Sequence, residues 1–379
     1  MTEVAAENQS DASGDRRVPA IAGYPPVFLP DATRATVRGV SAQDLRDIGV
    51  PALVVNTFHL MRRPGVRTIQ SCGGIHRFMD WDRPIMSDSG GFQVYSLIRQ
   101  NPEHGVIRAN EVIFREPGTK ERWRLTPERV VQLQFQLGSD IIVCLDDCTD
   151  AGDDAEQQRL AVERTVRWAQ RSREEFERLL GGKHSRGRQA PLLFAVVQGG
   201  ASEELRRECA ARLLEIGFDG FGFGGWPLTA DGALLEDILR VVVEALPADA
   251  PKHALGIGAP EHVVTAQALG YTMFDCSLPT RDARRGRLYT WLPGYPEAAP
   301  RPGVPFYRTF YSRDTDHHAD PSPVDPGCDC PLCTRYSRAY LHHLTKVGDA
   351  GAERLSTLHN LRFYARLMAA LRRAEQLLQ

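Results

Sequence analysis

The sequence predicts an α/β fold of the (β/α)8 TIM-barrel type, followed by a smaller C-terminal subdomain. Eight short apolar, β-rich runs alternate with helical segments over about 260 residues, and polar or glycine residues follow nearly every run. Alternating strands and helices imply a parallel sheet, and eight such units are the number that closes a barrel. A doubly wound open sheet is the structural alternative. It normally carries a glycine-rich turn after its first strand, and this chain has none.

The predicted strands are short apolar runs bounded by polar or glycine residues. They lie at residues 26–29, 52–56, 83–86, 140–145, 192–197, 218–223, 253–257 and 271–274. Helical periodicity predicts helices at residues 127–136, 154–180, 203–216 and 234–246. In the longest of these helices, Leu160, Val162, Val166 and Trp168 are expected on the apolar side. Since the carboxyl ends of barrel strands converge on one mouth, the polar residues that follow the strands are expected to share one site.

Composition narrows the classes of function. Lys and Arg number 46 against 48 Asp and Glu, so the net charge is −2 and a uniformly basic nucleic-acid-binding surface is excluded. No apolar run approaches the ~20 residues that a membrane helix needs. Residues 1–20 are polar, which predicts a disordered N-terminal tail without a signal peptide and therefore a cytoplasmic protein. In such a chain, eight cysteines favour reduced thiols or metal ligation over disulfides.

The periodic pattern changes after about residue 289. Prolines crowd the following stretch, at Pro293, Pro296, Pro300, Pro302 and Pro305. We therefore predict a barrel domain at residues 21–282 and an accessory subdomain at residues 283–379. The subdomain is predicted to end in an arginine-containing helix at residues 352–378.

The accessory segment contains a metal-binding pattern. Cys328, Cys330 and Cys333 form a C-x-C-x-x-C sequence, and three thiolates this close suit a tetrahedral zinc ion. The fourth ligand is open on spacing alone, since His342, His343 and His359 all lie downstream. The position of the cluster, away from the barrel mouth, predicts a closed structural site.

Two aspartates follow predicted strands and are candidate catalytic groups. Asp88 stands before two glycines, and Asp275 ends an apolar run that is followed by a proline. Two carboxylates across one pocket are the minimal set for chemistry at a glycosidic carbon: one attacks or stabilises the anomeric carbon, and the other moves protons. Taken singly, each aspartate could equally be a helix N-cap or a turn residue.

Four arginines follow Asp275 within a short segment, at Arg281, Arg284, Arg285 and Arg287. The arginine side chain binds phosphate through a planar fork of donors. This local patch predicts a nucleic-acid backbone beside the aspartate, and the alternative is a solvated run of charges.

Together these residues resemble the tRNA-guanine transglycosylase (queuine tRNA-ribosyltransferase) family. The resemblance runs from about residue 26 to residue 368. It is carried by ordered blocks at residues 56–61, 87–94, 138–141, 146–149, 197–200 and 274–281, by the cysteine cluster and by residues 358–361. The family has a (β/α)8 barrel with a zinc subdomain, and the resemblance implies that His359 is the fourth zinc ligand. It also implies a homodimer, and no cofactor other than structural zinc.

The resemblance implies roles for the two aspartates. Asp275 would be the nucleophile that attacks the anomeric carbon of a guanosine in tRNA and holds the ribose as an ester. Asp88 would be the general base for the incoming 7-deazaguanine-type base and the general acid for the leaving guanine. Arg281 and Arg284 match positions that hold the anticodon loop.

The resemblance also implies a set of residues that bind the purine. Asp146, Gln198 and the Gly225 backbone would form hydrogen bonds to the edge of the purine. Phe92 and Leu255 would enclose its two faces.

One segment departs from the family pattern. After Gly225 the chain has Trp226-Pro227-Leu228-Thr229-Ala230, where bacterial members usually have leucine, alanine, valine, glycine and glutamate. Pro227 has no N–H to offer, and Ala230 cannot replace a carboxylate. The sequence therefore predicts altered recognition of the 7-substituent, with an incoming base that is nitrile-bearing or unmodified.

Three other functions stay open beside exchange of a base in tRNA. The same chemistry could act on DNA, or the chain could be a non-catalytic RNA-binding partner subunit. The presence of both Asp88 and Asp275 counts against the latter. A carbohydrate-directed barrel glycosidase is the third, but the cysteine cluster and the arginine patch would have no role there.

Overall fold

The computed structural model describes residues 26–150, 152–182, 189–229 and 231–378. The N-terminal tail predicted at residues 1–20, and Ala230, lie outside the described residues. Within the described part of the chain, no helix is long and apolar enough to cross a membrane.

The strands of the described residues fall into one large parallel sheet and two small antiparallel sheets. In chain order they are β1 Val27–Pro30, β2 Leu53–Asn56, β3 Ile85–Asp88, β4 Gly105–Ile107, β5 Val112–Arg115, β6 Arg122–Leu125, β7 Ile141–Val143, β8 Leu192–Val197, β9 Gly220–Phe223, β10 Lys252–Ala254, β11 Met273–Cys276, β12 Arg287–Trp291 and β13 Tyr307–Tyr311.

The α-helices pack around the large sheet and form most of the C-terminal part. They are α1 Ala42–Asp47, α2 Thr57–Arg62, α3 Val66–Ser71, α4 Ile75–Met79, α5 Gly91–Gln100, α6 Pro127–Leu137, α7 Ala155–Leu180, α8 Glu203–Ile216, α9 Glu236–Glu244, α10 Pro260–Leu269, α11 Leu278–Arg284, α12 Pro331–Arg335, α13 Arg338–Val347 and α14 Ala350–Leu378.

Eight strands form a nearly closed parallel barrel. Their order is β1-β11-β10-β9-β8-β7-β3-β2, and every pair in this sheet is parallel. The two edge strands approach each other where Asp31 bridges to Val54, and the Ala32 N–H donates to the Val54 carbonyl at 2.7 Å. The predicted (β/α)8 barrel is therefore confirmed, and the open-sheet alternative is wrong.

Alternation along each strand decides which side chains enter the barrel. Side chains one residue apart on a strand point to opposite faces, so every second residue faces the lumen. The lumen core contains one such set of apolar side chains: Val27, Leu29, Ala52, Val54, Met86, Ile141, Val143, Phe194, Val196 and Met273. Continuing the same alternation by two residues brings Asn56, Asp88, Gln198 and Asp275 to the lumen side at the carboxyl ends of their strands. The apolar strand interiors and the polar mouth thus belong to the same set of inward-facing positions.

Strand β9 contributes no side chain to the lumen. Its sequence alternates glycine and phenylalanine, and Phe221 and Phe223 pack outward in the core between the sheet and the helices. A Cβ added at Gly220 would lie 2.4 Å from the ring of Phe194, and one at Gly222 would lie 2.7 Å from Leu255 Cδ1. The glycines therefore make room for two large side chains of neighbouring strands.

Most predicted helices are found with small shifts at their ends. Helix α6 begins at Pro127 behind the N-cap Thr126, and α7 begins behind Asp154, whose side chain accepts the Gln157 N–H at 2.8 Å. The apolar side predicted for α7 was too wide: Leu160 was included in it, but this side chain is 44% exposed. The small β4–β5–β6 sheet between β3 and α6 was not predicted.

The C-terminal part is joined to the barrel through helix α14. Strands β12 and β13 pair antiparallel, and α14 packs against α11, β12 and β1. Asn360 on α14 donates its Nδ2 to the carbonyls of Pro279 and Arg287 at 2.9 and 3.0 Å, and its Oδ1 accepts the Tyr289 N–H. This one side chain ties the C-terminal helix to both ends of the segment after β11. The division of the chain at residue 282 remains a prediction.

Candidate active site

The strand ends bring the predicted site residues to one mouth in ring order. Around the barrel, Asp88 ends β3, Asp146 and Gln198 follow β7 and β8, and Gly225 follows β9. Asp275 on β11 is then three strand steps from β3 through β1 and β2, which is close to the opposite side of an eight-stranded ring. The two candidate catalytic acids thus face each other across the lumen, with the other residues between them.

Asp88 is held by a polar contact and surrounded by like charges. Asn56 Nδ2 donates to Asp88 Oδ2 at 2.5 Å and also to Gln93 Oε1 at 2.9 Å. Burial raises the pKa of Asp88 to about 7, and the nearby carboxylates of Asp146 and Asp275 add to the rise. A carboxyl group with a pKa near neutrality can both accept and donate a proton at physiological pH.

The two glycines after Asp88 shape the start of helix α5. Gly90 has a φ of 89°, and a Cβ there would lie 2.5 Å from Phe58 Cβ. A Cβ at Gly91 would lie 3.0 Å from Asp146 Oδ1. Both positions therefore need glycine for the close approach of neighbouring residues.

Two nitrogen atoms lie close to the same carboxylate oxygen of Asp275. The Gly256 N–H donates to Asp275 Oδ1 at 3.1 Å, and His253 Nε2 lies 2.9 Å from the same oxygen. The Asp275 side chain is 18% exposed, whereas that of His253 is 1% exposed. The described residues provide no hydrogen bond to Oδ2, so this oxygen is free to meet a substrate.

A second group of polar atoms lies between the two acids. Gln198 Nε2 donates to Asp146 Oδ2 at 2.6 Å, and burial raises the pKa of Asp146 to about 6 against the opposing effect of this hydrogen bond. Gln198 Oε1 is buried without a partner among the described residues. A Cβ placed on Gly225, whose φ is 84°, would lie 3.5 Å from this oxygen. A buried, unpartnered polar atom beside a carboxylate and a close backbone is typical of a site that awaits a ligand.

Apolar side chains of unequal exposure border this group. Phe92 is 43% exposed and Leu255 is partly buried. The Phe92 ring faces Trp226, with ring centroids 6.4 Å apart and planes 18° from parallel. A cavity of about 250 Å³ lies against these two rings and is also lined by Tyr95, Arg99 and Asp150.

The predicted arginine patch is brought together only in part. Arg281, Arg284 and Arg285 lie on α11 or at its end, three and four residues apart, and therefore on one face of the helix. Arg281 and Arg285 are exposed and Arg284 is partly buried. Arg287 lies on β12, where its Nη1 is 3.5 Å from Asp282 Oδ2, so its charge is already paired.

The cysteine cluster and one histidine form a compact group. The ligand atoms of Cys328, Cys330, Cys333 and His359 all lie within 4.8 Å of one another, and only Cys333 is not fully buried. His359 Nδ1 is 3.5 Å from Cys330 Sγ and 3.3 Å from Cys333 Sγ, while its Nε2 lies 2.7 Å from the Tyr289 carbonyl. The carbonyl accepts a hydrogen bond from the Nε2 N–H, which leaves the Nδ1 lone pair facing the sulfurs. These separations suit a tetrahedral ion with bonds of 2.0–2.3 Å.

The other two candidate histidines lie elsewhere. His342 Nδ1 contacts the Ser312 carbonyl at 2.9 Å, and His343 is exposed. The group that could hold a metal therefore contains His359, in agreement with the sequence resemblance.

Three polar residues at the mouth were not singled out from the sequence. Asn56 was noted only as a strand end, and His253 lay inside a predicted strand. Asp31 follows β1, where burial and the neighbouring Asp275 raise its pKa. The alternation of lumen-facing residues, extended one step past each strand, would have found Asn56 and Asp31. For His253 the signal was a single polar residue two positions before Leu255.

A parallel (β/α)8 barrel with opposed acids at its carboxyl-end mouth defines an enzyme of the barrel class, here with a Cys3His group that could hold a metal. The family model described as "Queuine tRNA-ribosyltransferase" matches residues 18–375. The chain is 41% identical over 351 residues to a queuine tRNA-ribosyltransferase of Shewanella halifaxensis, covering 92% of this chain and 85% of the relative. Proteins of the same name from Haemophilus influenzae and Pasteurella multocida are 40% identical over 92% of this chain and 84% of their own length. The chain belongs to the queuine tRNA-ribosyltransferase family, and it is an enzyme of the pentosyltransferase class.

Proposed function

We propose that this enzyme exchanges guanine at the anticodon wobble position of tRNA for a 7-deazaguanine-type base through a covalent aspartyl-ribose intermediate. The observation that carries the proposal is the pair of acids on nearly opposite sides of one mouth, Asp275 with a free oxygen and Asp88 with a pKa of about 7. Family membership supports the tRNA substrate, since the matching relatives are named for it.

The first half-reaction removes guanine. A carboxylate oxygen of Asp275 attacks C1′ of the guanosine, the bond from C1′ to N9 breaks, and its electron pair leaves with guanine. The acid form of Asp88 gives a proton to the departing base. The ribose is then held as an ester of Asp275. The two half-reactions together are close to isoenergetic, because one N-glycosidic bond replaces another.

The second half-reaction installs the new base. Asp88, now a carboxylate, takes the N9 proton of the incoming base, and N9 attacks C1′. The ester bond breaks and returns its electron pair to Asp275. Since one group must act in both protonation states, the pKa of Asp88 near neutrality supports this assignment.

The base is proposed to lie between the acids. The Asp146 carboxylate would accept from the N–H groups of the purine edge, Gln198 would bond the same edge, and the Gly225 N–H would donate to the purine carbonyl. The buried, unpartnered Gln198 Oε1 supports a ligand here, because it can accept an N–H of the purine edge while Nε2 keeps its bond to Asp146. Phe92 and Leu255 would enclose the faces of the ring.

The identity of the incoming base is proposed from Trp226. Its ring stacks on Phe92 at 6.4 Å, and it is 50% exposed beside the slot. Pro227 follows and offers no N–H to a 7-substituent. We therefore favour a nitrile-bearing or unmodified analogue over an aminomethyl one. Competition between the three bases for incorporation into one tRNA measures this preference, and a clear preference for the aminomethyl base would contradict it.

Further features complete the proposal. Zinc would occupy the Cys3His group and stabilise the fold around Asn360 without contacting the reaction. Arg281, Arg284 and Arg285 would bind phosphates of the anticodon loop.

The homodimer and the cytoplasmic location remain predictions. Light scattering of the purified protein tests the homodimer.

The test uses radiolabelled guanine with tRNA, duplex DNA and single-stranded DNA in separate reactions. We expect label in tRNA alone. Label in DNA alone would establish the DNA alternative, and label in none would favour the non-catalytic partner subunit. Asp275→Ala should abolish both labelling and a protein–RNA adduct on denaturing gels, whereas Asp237→Asn, at an exposed position on α9, should retain both. An adduct that survives Asp275→Ala would place the nucleophile elsewhere.

A further inference from the structure

His253 lies in the lumen of the barrel, beside the candidate nucleophile. Strand β10 alternates so that Ala254 packs outward among the helices, while Leu255 joins the lumen core. His253 therefore faces the lumen with Leu255, and its side chain is only 1% exposed. A buried polar group at such a position needs a partner, and the nearest polar atom recorded for Nε2 is Asp275 Oδ1 at 2.9 Å.

The contact brings a second nitrogen of the β10 segment to one acceptor oxygen. The Gly256 N–H already donates to Asp275 Oδ1 at 3.1 Å, so His253 Nε2 is the second nitrogen at this oxygen. At this distance His253 Nε2 does not yet make a hydrogen bond, so donation to Asp275 Oδ1 requires the imidazole to reorient. Catalytic hydrogen bonds are often poorly aligned before substrate binds.

We propose that His253 is a positioning residue for the nucleophile: with the Gly256 N–H it fixes Oδ1 of Asp275 and so makes Oδ2 the attacking oxygen. This inference rests on the proposed role of Asp275. A second donor beside the Gly256 N–H would restrict rotation of the carboxylate, and the described chain leaves the other oxygen without a hydrogen bond. Because a near-attack geometry must be held closely for reaction, restricting this rotation raises the rate.

The two half-reactions depend on His253 to different degrees. When Oδ2 forms the ester with C1′, Oδ1 becomes the ester carbonyl and carries less charge. When the ester breaks, the electron pair returns to the carboxylate and is shared by Oδ1, whose bond to the His253 N–H becomes charge-assisted and stronger. The donor therefore stabilises the leaving carboxylate during discharge of the intermediate. Loss of the donor should slow discharge more than formation.

The experiment compares two substitutions in the full-length enzyme. His253→Leu removes the donor at similar volume, and His253→Gln retains an N–H near the position of Nε2. His262→Leu, on the outer helix α10, is the matched control. Formation of the protein–RNA adduct is followed after mixing enzyme with tRNA, and discharge is followed after adding an excess of guanine, both on denaturing gels.

We expect His253→Leu to slow discharge about tenfold more than formation, so that the adduct accumulates, and His253→Gln to restore the ratio to within about threefold of the parent enzyme. A changed melting temperature with an unchanged ratio of the two rates would show a structural role only and overturn the proposal. If His253→Leu does not fold, His253→Asn takes its place, because its shorter N–H ends too far from Oδ1. Loss of the adduct in Asp275→Ala is scored separately, so failure of the nucleophile assignment is distinguishable from failure of this proposal.

Discussion

Asn56 and Asp88, which end neighbouring strands of the barrel, are joined by a hydrogen bond of 2.5 Å from Nδ2 to Oδ2. The two residues are register partners in the parallel sheet, so the contact follows from strand pairing. An amide that donates to a carboxylate favours its charged form and opposes the effect of burial on the pKa of Asp88. The activity of the site should therefore depend on this one pair.

The pH dependence of base exchange should report Asp88. As the proposed general base it must be ionised to take a proton from the incoming base, and its pKa is about 7. We expect kcat/KM for the incoming base, which reports the second half-reaction, to rise with pH to a plateau, with an apparent midpoint near 7 that belongs to the coupled acids of the mouth. Initial rates from pH 5 to 9 measure it, and a flat profile across this range would contradict the assignment.

Asn56→Ala should move that midpoint upward. Removing the donor destabilises the charged form of Asp88, so its pKa rises further and less of it is ionised near neutrality. We expect about a tenfold loss of kcat/KM at pH 6 and a smaller loss at pH 8.5. Asn110→Ala, at an exposed position, is the control and should leave the profile unchanged. Equal losses at both pH values would show that Asn56 acts on something other than this pKa.

Asp88→Asn should stabilise the fold while abolishing exchange. The pKa of Asp88 is raised in the folded state from an ordinary value of 3.8, so ionisation costs stability progressively as the pH rises from about 4 to about 7. The neutral amide avoids this cost. We expect the free energy of unfolding at pH 8 to increase by about 1–3 kcal/mol. Urea denaturation at several pH values should show the advantage growing over this range and constant above it; an advantage independent of pH would contradict the explanation.

Cys330→Ser should lose the metal and weaken the C-terminal part. A closed site of three thiolates and one imidazole contributes folding energy when occupied, so its loss should reduce the free energy of unfolding by several kcal/mol. Since Asn360 follows His359 and bonds the Pro279 and Arg287 carbonyls, the segment after Asp275 should loosen as well. Elemental analysis and thermal melts measure both effects. His343→Ala, an exposed histidine outside the group, should keep full metal content.

The arginine face of α11 should set the salt dependence of tRNA binding. Each phosphate contact releases counterions and contributes about 0.7 to the slope of log affinity against log salt for single strands. Arg281→Gln with Arg284→Gln should therefore reduce that slope by about 1 to 1.5. Arg159→Gln, on the outer helix α7 and paired with Glu156, is the control. Binding titrations from 50 to 300 mM salt provide the measurement, and an unchanged slope would place the phosphate contacts elsewhere.

The barrel could be predicted from the sequence because its strands are buried on both faces. Such strands appear as nearly continuous apolar runs, which stand out against the helices between them. The small β4–β5–β6 sheet was not predicted, because charged residues such as Arg115 and Arg124 interrupt the apolar pattern of its short strands. Leu160 was misplaced because a 26-residue helix covers the barrel with only one stripe of its surface.

The site was predictable where a polar residue ends an apolar run, as with Asp88 and Asp275. His253 was not, because a histidine inside an apolar strand is more often a satisfied core residue. Its partner lies on the neighbouring strand, so only three-dimensional pairing brings them together. Arg287 was predicted to join the phosphate-binding patch because it is close in sequence to three other arginines. In the structure its guanidinium instead lies beside the Asp282 carboxylate.

Strand β9, which contributes no side chain to the proposed base slot, limits the space available to Leu255. Because a Cβ at Gly222 would lie 2.7 Å from Leu255 Cδ1, a single methyl group at position 222 would force that leucine to move, while a shorter residue at 255 would widen the proposed slot. Neither change touches β3 or β11, which carry the two acids. On the proposed assignment, the size of the base and the chemistry at C1′ therefore depend on separate strands, and substitutions can change the first without disturbing the second.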